Sequence, residues 1–230
     1  MNDIFKKIKK GLIVSCQAEV NDPFNSPEGV TMFAKAAMMG GAAAIRSEGF
    51  EKTRAIVTQV QLPIIGLIKS TFEDGYVRIT GSFGDVEKLI EAGAHIIAID
   101  GTFRKREGWS GIEFIKEVKK RYDCLVMADV ATYAEGISCG DAGADCISST
   151  LSGYTPETKD KSKNEPDYKL VEKLSGRLKL PIIAEGKINQ PSFAKRMIES
   201  GAWAVVVGTS ITRPRVITSW FVDAIKETSK

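Results

Sequence analysis

Four segments of this chain share one grammar: MGGAAAIR at 39–46, EAGAHIIAID at 91–100, DAGADCISS at 141–149 and ESGAWAVVVG at 199–208. In each, a helical pattern ends, a Gly-Ala pair follows and a short apolar run begins. Glycine there suits the left-handed residue just past a helix C-terminus. Gly41, Gly93, Gly143 and Gly201 are 52, 50 and 58 positions apart. That interval is too long for one strand–helix unit and right for two. The intervening units are LPIIGLIK at 62–69, DCLVMADVA at 123–131 and LPIIAEGKI at 180–188, and GLIVSCQ at 11–17 supplies the first. The chain thus encodes eight short strands, apolar throughout, as expected of a parallel sheet covered on its faces.

Helical spacing of apolar residues fills the gaps at 27–40, 51–60, 84–92, 109–121, 133–140, 166–176, 190–199 and 214–228. Pro27 and Glu28 open the first of these as a good first turn. Eight alternating units predict a single (β/α)8 TIM barrel domain over 1–230. The competing layout is an open doubly wound sheet, which lacks its glycine-rich dinucleotide fingerprint after the first strand. Residues 1–10 interleave Lys6, Lys7, Lys9 and Lys10 with Ile4, Phe5 and Ile8, the pattern of a short amphipathic helix capping one end. One irregular insert, 70–83, separates the third strand from its helix. Long loops on that side of a barrel usually carry function.

Composition narrows the function classes. The net charge of +3 is too mild to argue for nucleic acid or a membrane surface. No run is long enough to span a bilayer, and the apolar run after residue 10 is too short for a secretory signal. The four cysteines form no CxxC pair, which reads as free thiols in the cytoplasm. The single histidine, His95, excludes a multi-histidine metal site and begins an apolar run, a structural position.

In a barrel of this kind the active site lies at the C-terminal ends of the strands. Seven of the eight strands end in polar groups or a glycine turn: Gln17, Arg46, Lys69, Asp100, Asp129, Glu185 and Gly208-Thr209. Any one of them could simply meet water; together they describe a rim. Gly186 and Gly208 follow the last two strands. Such turns let backbone N–H groups approach a phosphate, at the start of a short helix. Thr209 adds a hydroxyl and Arg213 a charged fork. Gly186, Gly208, Thr209 and Arg213 are therefore the expected phosphate-binding residues.

The motifs GLIVSCQ, IR at 45–46, PIIGLIK, MADVAT, TLSGYT, IAEGKI and VVVGTSITRP together closely resemble the N-acetylmannosamine-6-phosphate 2-epimerase family. The resemblance runs from about Gly11 to Ile225. It implies a cofactor-independent barrel that interconverts N-acetylmannosamine 6-phosphate and N-acetylglucosamine 6-phosphate in bacterial sialic acid breakdown. It further implies Lys69 and Glu185 as catalytic residues, Gln17, Arg46 and Asp129 as sugar-binding residues, and a homodimer. The chain departs from the family pattern at Ser70-Thr71-Phe72, at Ile79-Thr80-Gly81-Ser82 and at Asp100-Gly101-Thr102, around the insert.

The residues suit that chemistry. Epimerisation at C2 needs an open-chain aldehyde and removal of the C2 proton to give an enolate. A lysine can take that proton once desolvation and a nearby cation lower its pKa. Arg46 would face the developing enolate charge. Glu185 would assist ring opening or serve as the second acid/base. Asp100 would pair with Arg46 or a substrate hydroxyl. The alternative use of Lys69 is a Schiff base, in a barrel synthase or aldolase acting on another phosphorylated substrate.

Overall fold

The computed structural model describes residues 2–19, 21–162 and 164–227. Eight parallel strands close into a barrel: β1 (Leu12–Cys16), β2 (Ala44–Glu48), β3 (Ile64–Leu67), β6 (Ile96–Asp100), β7 (Leu125–Asp129), β8 (Cys146–Ser148), β9 (Ile182–Ala184) and β10 (Ala204–Val207), with β10 pairing back onto β1. The remaining strands, β4 (Lys69–Thr71) and β5 (Val77–Ile79), form an antiparallel hairpin outside the barrel. The helices around the barrel are α2 (Pro27–Met39), α3 (Phe50–Gln59), α4 (Phe83–Glu91), α5 (Gly111–Arg121), α6 (Tyr133–Asp141), α7 (Tyr168–Arg177), α8 (Pro191–Glu199) and α10 (Pro214–Glu227). The short α1 (Asp3–Ile8) precedes the barrel, and the four-residue α9 (Thr209–Thr212) follows β10. The barrel expected from the repeat is therefore the one observed, and the open sheet is not.

Local chemistry explains the helix starts. Ser82, Ser110 and Thr132 each cap a helix through a reciprocal pair with an acidic residue three positions on, Asp85, Glu113 and Glu135. Gly41, Gly93, Gly143 and Gly201 all take positive φ, between 82° and 99°. The repeated Gly-Ala grammar thus marks the turn from each of four helices into the next strand.

Side-chain alternation then builds the site. Ile13, Ala44, Ile65, Leu67, Ala98, Met127, Ile183 and Val206 belong to one buried cluster, the barrel interior. Successive strand residues face opposite sides. Counting by twos from that interior set reaches Ser15 and Gln17, Arg46, Lys69, Asp100, Asp129 and Glu185. Each polar residue therefore inherits its inward direction from an apolar residue of the same parity below it. At the other end Phe5 and Ile8 of α1 join the interior cluster and are almost wholly buried. Each such side chain contributes roughly 1.5–3 kcal/mol of burial, and Trp203 Nε1 donates to the Phe5 carbonyl at 2.8 Å. The expected N-terminal cap is thus in place.

Two expectations are corrected here. Lys69 is not the end of the third strand, which stops at Leu67; it is the first residue of the hairpin. The insert expected to be irregular is in part this hairpin, with Lys69 opposite Ile79 and Thr71 opposite Val77. Alternating pairs over three residues are too short to stand out in sequence. The predicted helix 214–228 is present as α10, with residue 228 outside the described residues.

Candidate active site

A cavity of about 590 Å³ opens at the C-terminal ends of the strands. Gln17, Arg46, Lys69, Glu185, Gly186, Gly208, Thr209 and Arg213 all line it. Eight of the nine residues expected in the site are thus brought together; Asp129 is not on the cavity wall. A second cavity, about 520 Å³, lies beyond Lys187 and is lined by none of the nine. Its Lys161 is already held by Asp167 at 2.7 Å.

The centre of the site is Arg46, 1% exposed. Its Nη2 lies 2.5 Å from Asp129 Oδ2, and its Nη1 donates to Asp129 Oδ1 at 3.1 Å. The same Nη1 lies 2.9 Å from Glu185 Oε2. Burial works against this charge, but the two carboxylates outweigh it and hold the guanidinium above its ordinary pKa. Arg46 is a fixed cation. Asp129, fully buried, spends both oxygens behind Arg46, and Thr150 Oγ1 also donates to it at 2.6 Å. In this structure Asp129 holds Arg46 and does not line the cavity.

Lys69 Nζ donates to Gln17 Oε1 at 2.6 Å, and Gln17 Nε2 donates to Ser15 Oγ at 2.7 Å. Desolvation, then the positive charge of Arg46, lower the Lys69 pKa below the ordinary lysine value. The residue keeps solvent access at the mouth. That access weakens the first cause and leaves the second, so the direction stands. Glu185 moves the opposite way: burial raises its pKa, opposed by Arg46 and assisted by Asp129. A base made easier to deprotonate thus shares a cavity with an acid made harder to deprotonate, the pattern by which one site runs acid and base chemistry together.

At the other end, Gly186 has φ +106°, where a side chain is strained. At Gly208 an added Cβ would sit 3.3 Å from Ser15 Cβ, a tight contact at the cavity wall. Thr209 opens α9, whose first N–H groups have no partner within the helix. Arg213 lines the same end, with Nη1 2.5 Å from Glu19 Oε1. The cavity wall carries Arg46, Lys69, Arg104, Lys187 and Arg213 against Glu185, a balance that draws an anion.

Two expectations were incomplete. Asp100 pairs with neither Arg46 nor the cavity: it is fully buried and held by Arg104 at 2.8 Å and Arg106 at 3.1 Å. The strand that had no polar end, β8, is followed by Thr150, whose hydroxyl lies between two carboxyl groups, 2.6 Å from Asp129 Oδ1 and 3.0 Å from Glu185 Oε2. The run Ser148-Ser149-Thr150 after Cys146-Ile147 was the signal for it. His95 lies at the opposite end, ahead of β6, where its Nδ1 accepts from the Ile64 N–H at 3.1 Å. Among the described residues no group of three His, Cys, Asp or Glu could hold a metal ion.

Residues 30–227 match the family model described as "Putative N-acetylmannosamine-6-phosphate epimerase". A protein of Caldanaerobacter subterraneus subsp. tengcongensis, named "Putative N-acetylmannosamine-6-phosphate 2-epimerase", is 49% identical over 98% of this chain and 95% of its own. One of the same name from Clostridioides difficile is 45% identical over 96% of this chain and 98% of its own. A solved structure of the N-acetylmannosamine-6-phosphate 2-epimerase from Clostridium perfringens superposes with a TM-score of 0.90 at 40% identity, covering 96% of both chains.

Proposed function

The chain belongs to the N-acetylmannosamine-6-phosphate epimerase family, and on that premise we propose that it interconverts N-acetylmannosamine 6-phosphate and N-acetylglucosamine 6-phosphate by proton exchange at C2. The single observation that carries the chemistry is that Lys69 and Glu185 line one cavity together with the buried Arg46, which holds Glu185 at 2.9 Å; burial and Arg46 lower the lysine pKa while burial raises that of the carboxyl. The names of the relatives do not favour a synthase or aldolase.

The phosphate sits at the turns of Gly186 and Gly208, against Thr209 and Arg213. The sugar opens to its aldehyde, and C2 lies between Lys69 and Glu185. Neutral Lys69 takes the C2 proton; the C2–H electron pair moves into the C1–C2 bond and the carbonyl electrons onto O1. Arg46, already charged and rigidly held, faces that enolate at no cost of reorganisation. Glu185 returns a proton to C2 from the other face, and the ring closes. In the reverse direction the two residues exchange roles. Gln17 holds Lys69, Thr150 holds Glu185 and Asp129 holds Arg46.

The same reading takes residues 1–230 as one barrel domain working as a homodimer. It acts in the cytoplasm, a compartment that suits four unpaired cysteines. No described helix is long and apolar enough to cross a membrane.

The test is NMR of the protein with N-acetylmannosamine 6-phosphate in deuterated water, beside Lys69→Ala. The expected product is N-acetylglucosamine 6-phosphate carrying deuterium at C2, formed by the unaltered chain alone. Lack of conversion by the unaltered chain overturns the activity. Near-normal conversion by Lys69→Ala overturns the role of the lysine.

A further inference from the structure

Lys69 does not stand alone at the mouth. It opens the β4–β5 hairpin, and Tyr76, Val77 and Ile79 of the same hairpin line the cavity. The hairpin is clasped to the loop after β6. Arg78, 1% exposed, holds Asp74 within the hairpin and donates from Nη2 to the Lys105 carbonyl at 3.2 Å. Beside Lys105, Arg104 lines the cavity. Its Nε donates to Thr102 Oγ1 at 3.0 Å and its Nη2 to Asp100 Oδ2 at 2.8 Å. Its Nη1 has no hydrogen-bond partner among the described residues. Asp100 is itself fixed from the other side by Arg106. The result is a guanidinium held on two sides with one free edge, lining the same cavity as an aromatic ring and two aliphatic side chains of a hairpin that is tied to its loop through Arg78.

The proposed chemistry sets C2 at Lys69, and the acylamino group is bonded to C2. The acylamino nitrogen is one bond from the carbon that Lys69 deprotonates, so its acyl group is within reach of the cavity wall that this hairpin lines. That wall offers what an acetamido group needs: a charged donor for its carbonyl oxygen and an apolar surface for its methyl. We propose that Arg104 and Tyr76 form the acyl subsite and set the enzyme's preference for an N-acetylated sugar phosphate, with Asp100 and Arg78 as positioning residues. This inference rests on the epimerase reading.

Calorimetric titration separates the two. Arg104→Gln is expected to weaken binding of N-acetylglucosamine 6-phosphate roughly tenfold or more, the loss of a charged hydrogen bond, while 2-deoxyglucose 6-phosphate, which has no acyl group, changes by less than about twofold. An equal loss on both ligands by a folded variant, or no loss on either, overturns the subsite. Tyr76 is about half exposed, so Tyr76→Ala tests the idea with little burden on the fold. It is expected to raise kcat/KM for an N-butanoyl substrate relative to the N-acetyl one, and an unchanged ratio overturns the proposal. If Arg104→Gln loses its fold by circular dichroism, the Tyr76→Ala ratio decides alone. Failure of the unaltered chain to turn over N-acetylmannosamine 6-phosphate at all would remove the epimerase reading itself. Turnover with unaltered acyl preference in the variants would remove only the subsite.

Discussion

At the scale of single residues, Lys69, Glu185 and Arg46 make separable predictions. Lys69 must be neutral to accept a proton. Its neutral fraction rises with pH through its pKa, so kcat/KM, which reports the free enzyme, climbs on an acid limb. Because desolvation and Arg46 lower that pKa, the limb lies below the ordinary lysine value of 10.5, as a pH–rate profile will read. For Glu185→Gln, Lys69 can still remove and return the C2 proton on its own face. The expected result in deuterated water is isotope exchange into one epimer without inversion, and loss of exchange together with inversion would assign Glu185 to ring opening instead. Arg46→Met strands two carboxylates in the interior, Asp129 and Glu185, held now at 2.5 and 2.9 Å. Breaking a buried pair from one side costs about 3–5 kcal/mol, to be measured by urea denaturation. Adding Asp129→Asn should recover part of that loss, because one of the unpaired charges is then gone. Six of the polar groups at this rim were legible in sequence because each closes a short apolar run, and strand parity ties five of them to an apolar residue two positions earlier, Gln17 following Ser15 instead. Parity gives direction and not partner. It placed Arg46, Asp129 and Asp100 at the rim, but which of them pair depends on distances across the barrel that no local pattern carries. Thr150 was missed for a related reason, since Ser148-Ser149-Thr150 offers three hydroxyls in succession and no local pattern picks the one that reaches across the barrel.

At the scale of elements, the repeat announced the barrel and the short apolar runs announced its strands. The hairpin stayed hidden because three-residue strands separated by a turn leave almost no periodicity. The loop between β6 and α5 was equally silent, although it holds Asp100 and Arg104 in place. Its geometry depends on Gly111, the first residue of α5. A Cβ there would fall 2.5 Å from both the Asp100 and Thr102 carbonyl oxygens, which are backbone and cannot swing away. Helix propensity alone favours alanine at this position. The crowding should win: Gly111→Ala is expected to destabilise the chain by roughly 1–3 kcal/mol, as overpacking does. Displacing the loop should also raise KM for the acetylated substrate through Arg104. A thermal melt that shows stabilisation would mean that the loop yields cheaply and that Arg104 is not rigidly placed.

At the scale of the whole molecule, α10 breaks the pattern of the other barrel helices. Helices α2 to α8 each bury at least one side chain against the barrel, and α10 buries none. It keeps Trp220, Phe221 and Val222 exposed, Phe221 at 68%. Three large apolar residues in succession on the last helix are costly in water unless another surface covers them. The sequence showed this apolar stretch but could not say whether it faced its own barrel, because helical spacing alone does not identify the surface that receives it. The structure leaves the face open, and a second copy of the chain is the proposed cover, with the two α10 helices related by a twofold axis. A chain of 25.0 kDa should then behave in light scattering as a particle of about twice that mass. Trp220→Ser combined with Phe221→Asp should yield the monomer, with an intact fold, since neither residue is buried in the single chain. The site should feel the change as well. Arg213 lines the cavity immediately ahead of α10, and Arg215 within it holds Glu19, which also pairs with Arg213. Loosening α10 would therefore slacken the phosphate end while leaving Lys69 and Glu185 alone, so KM should rise with little change in kcat. A double variant that remains a dimer would move the interface elsewhere, and an unaltered chain that is monomeric at micromolar concentration would end the dimer proposal.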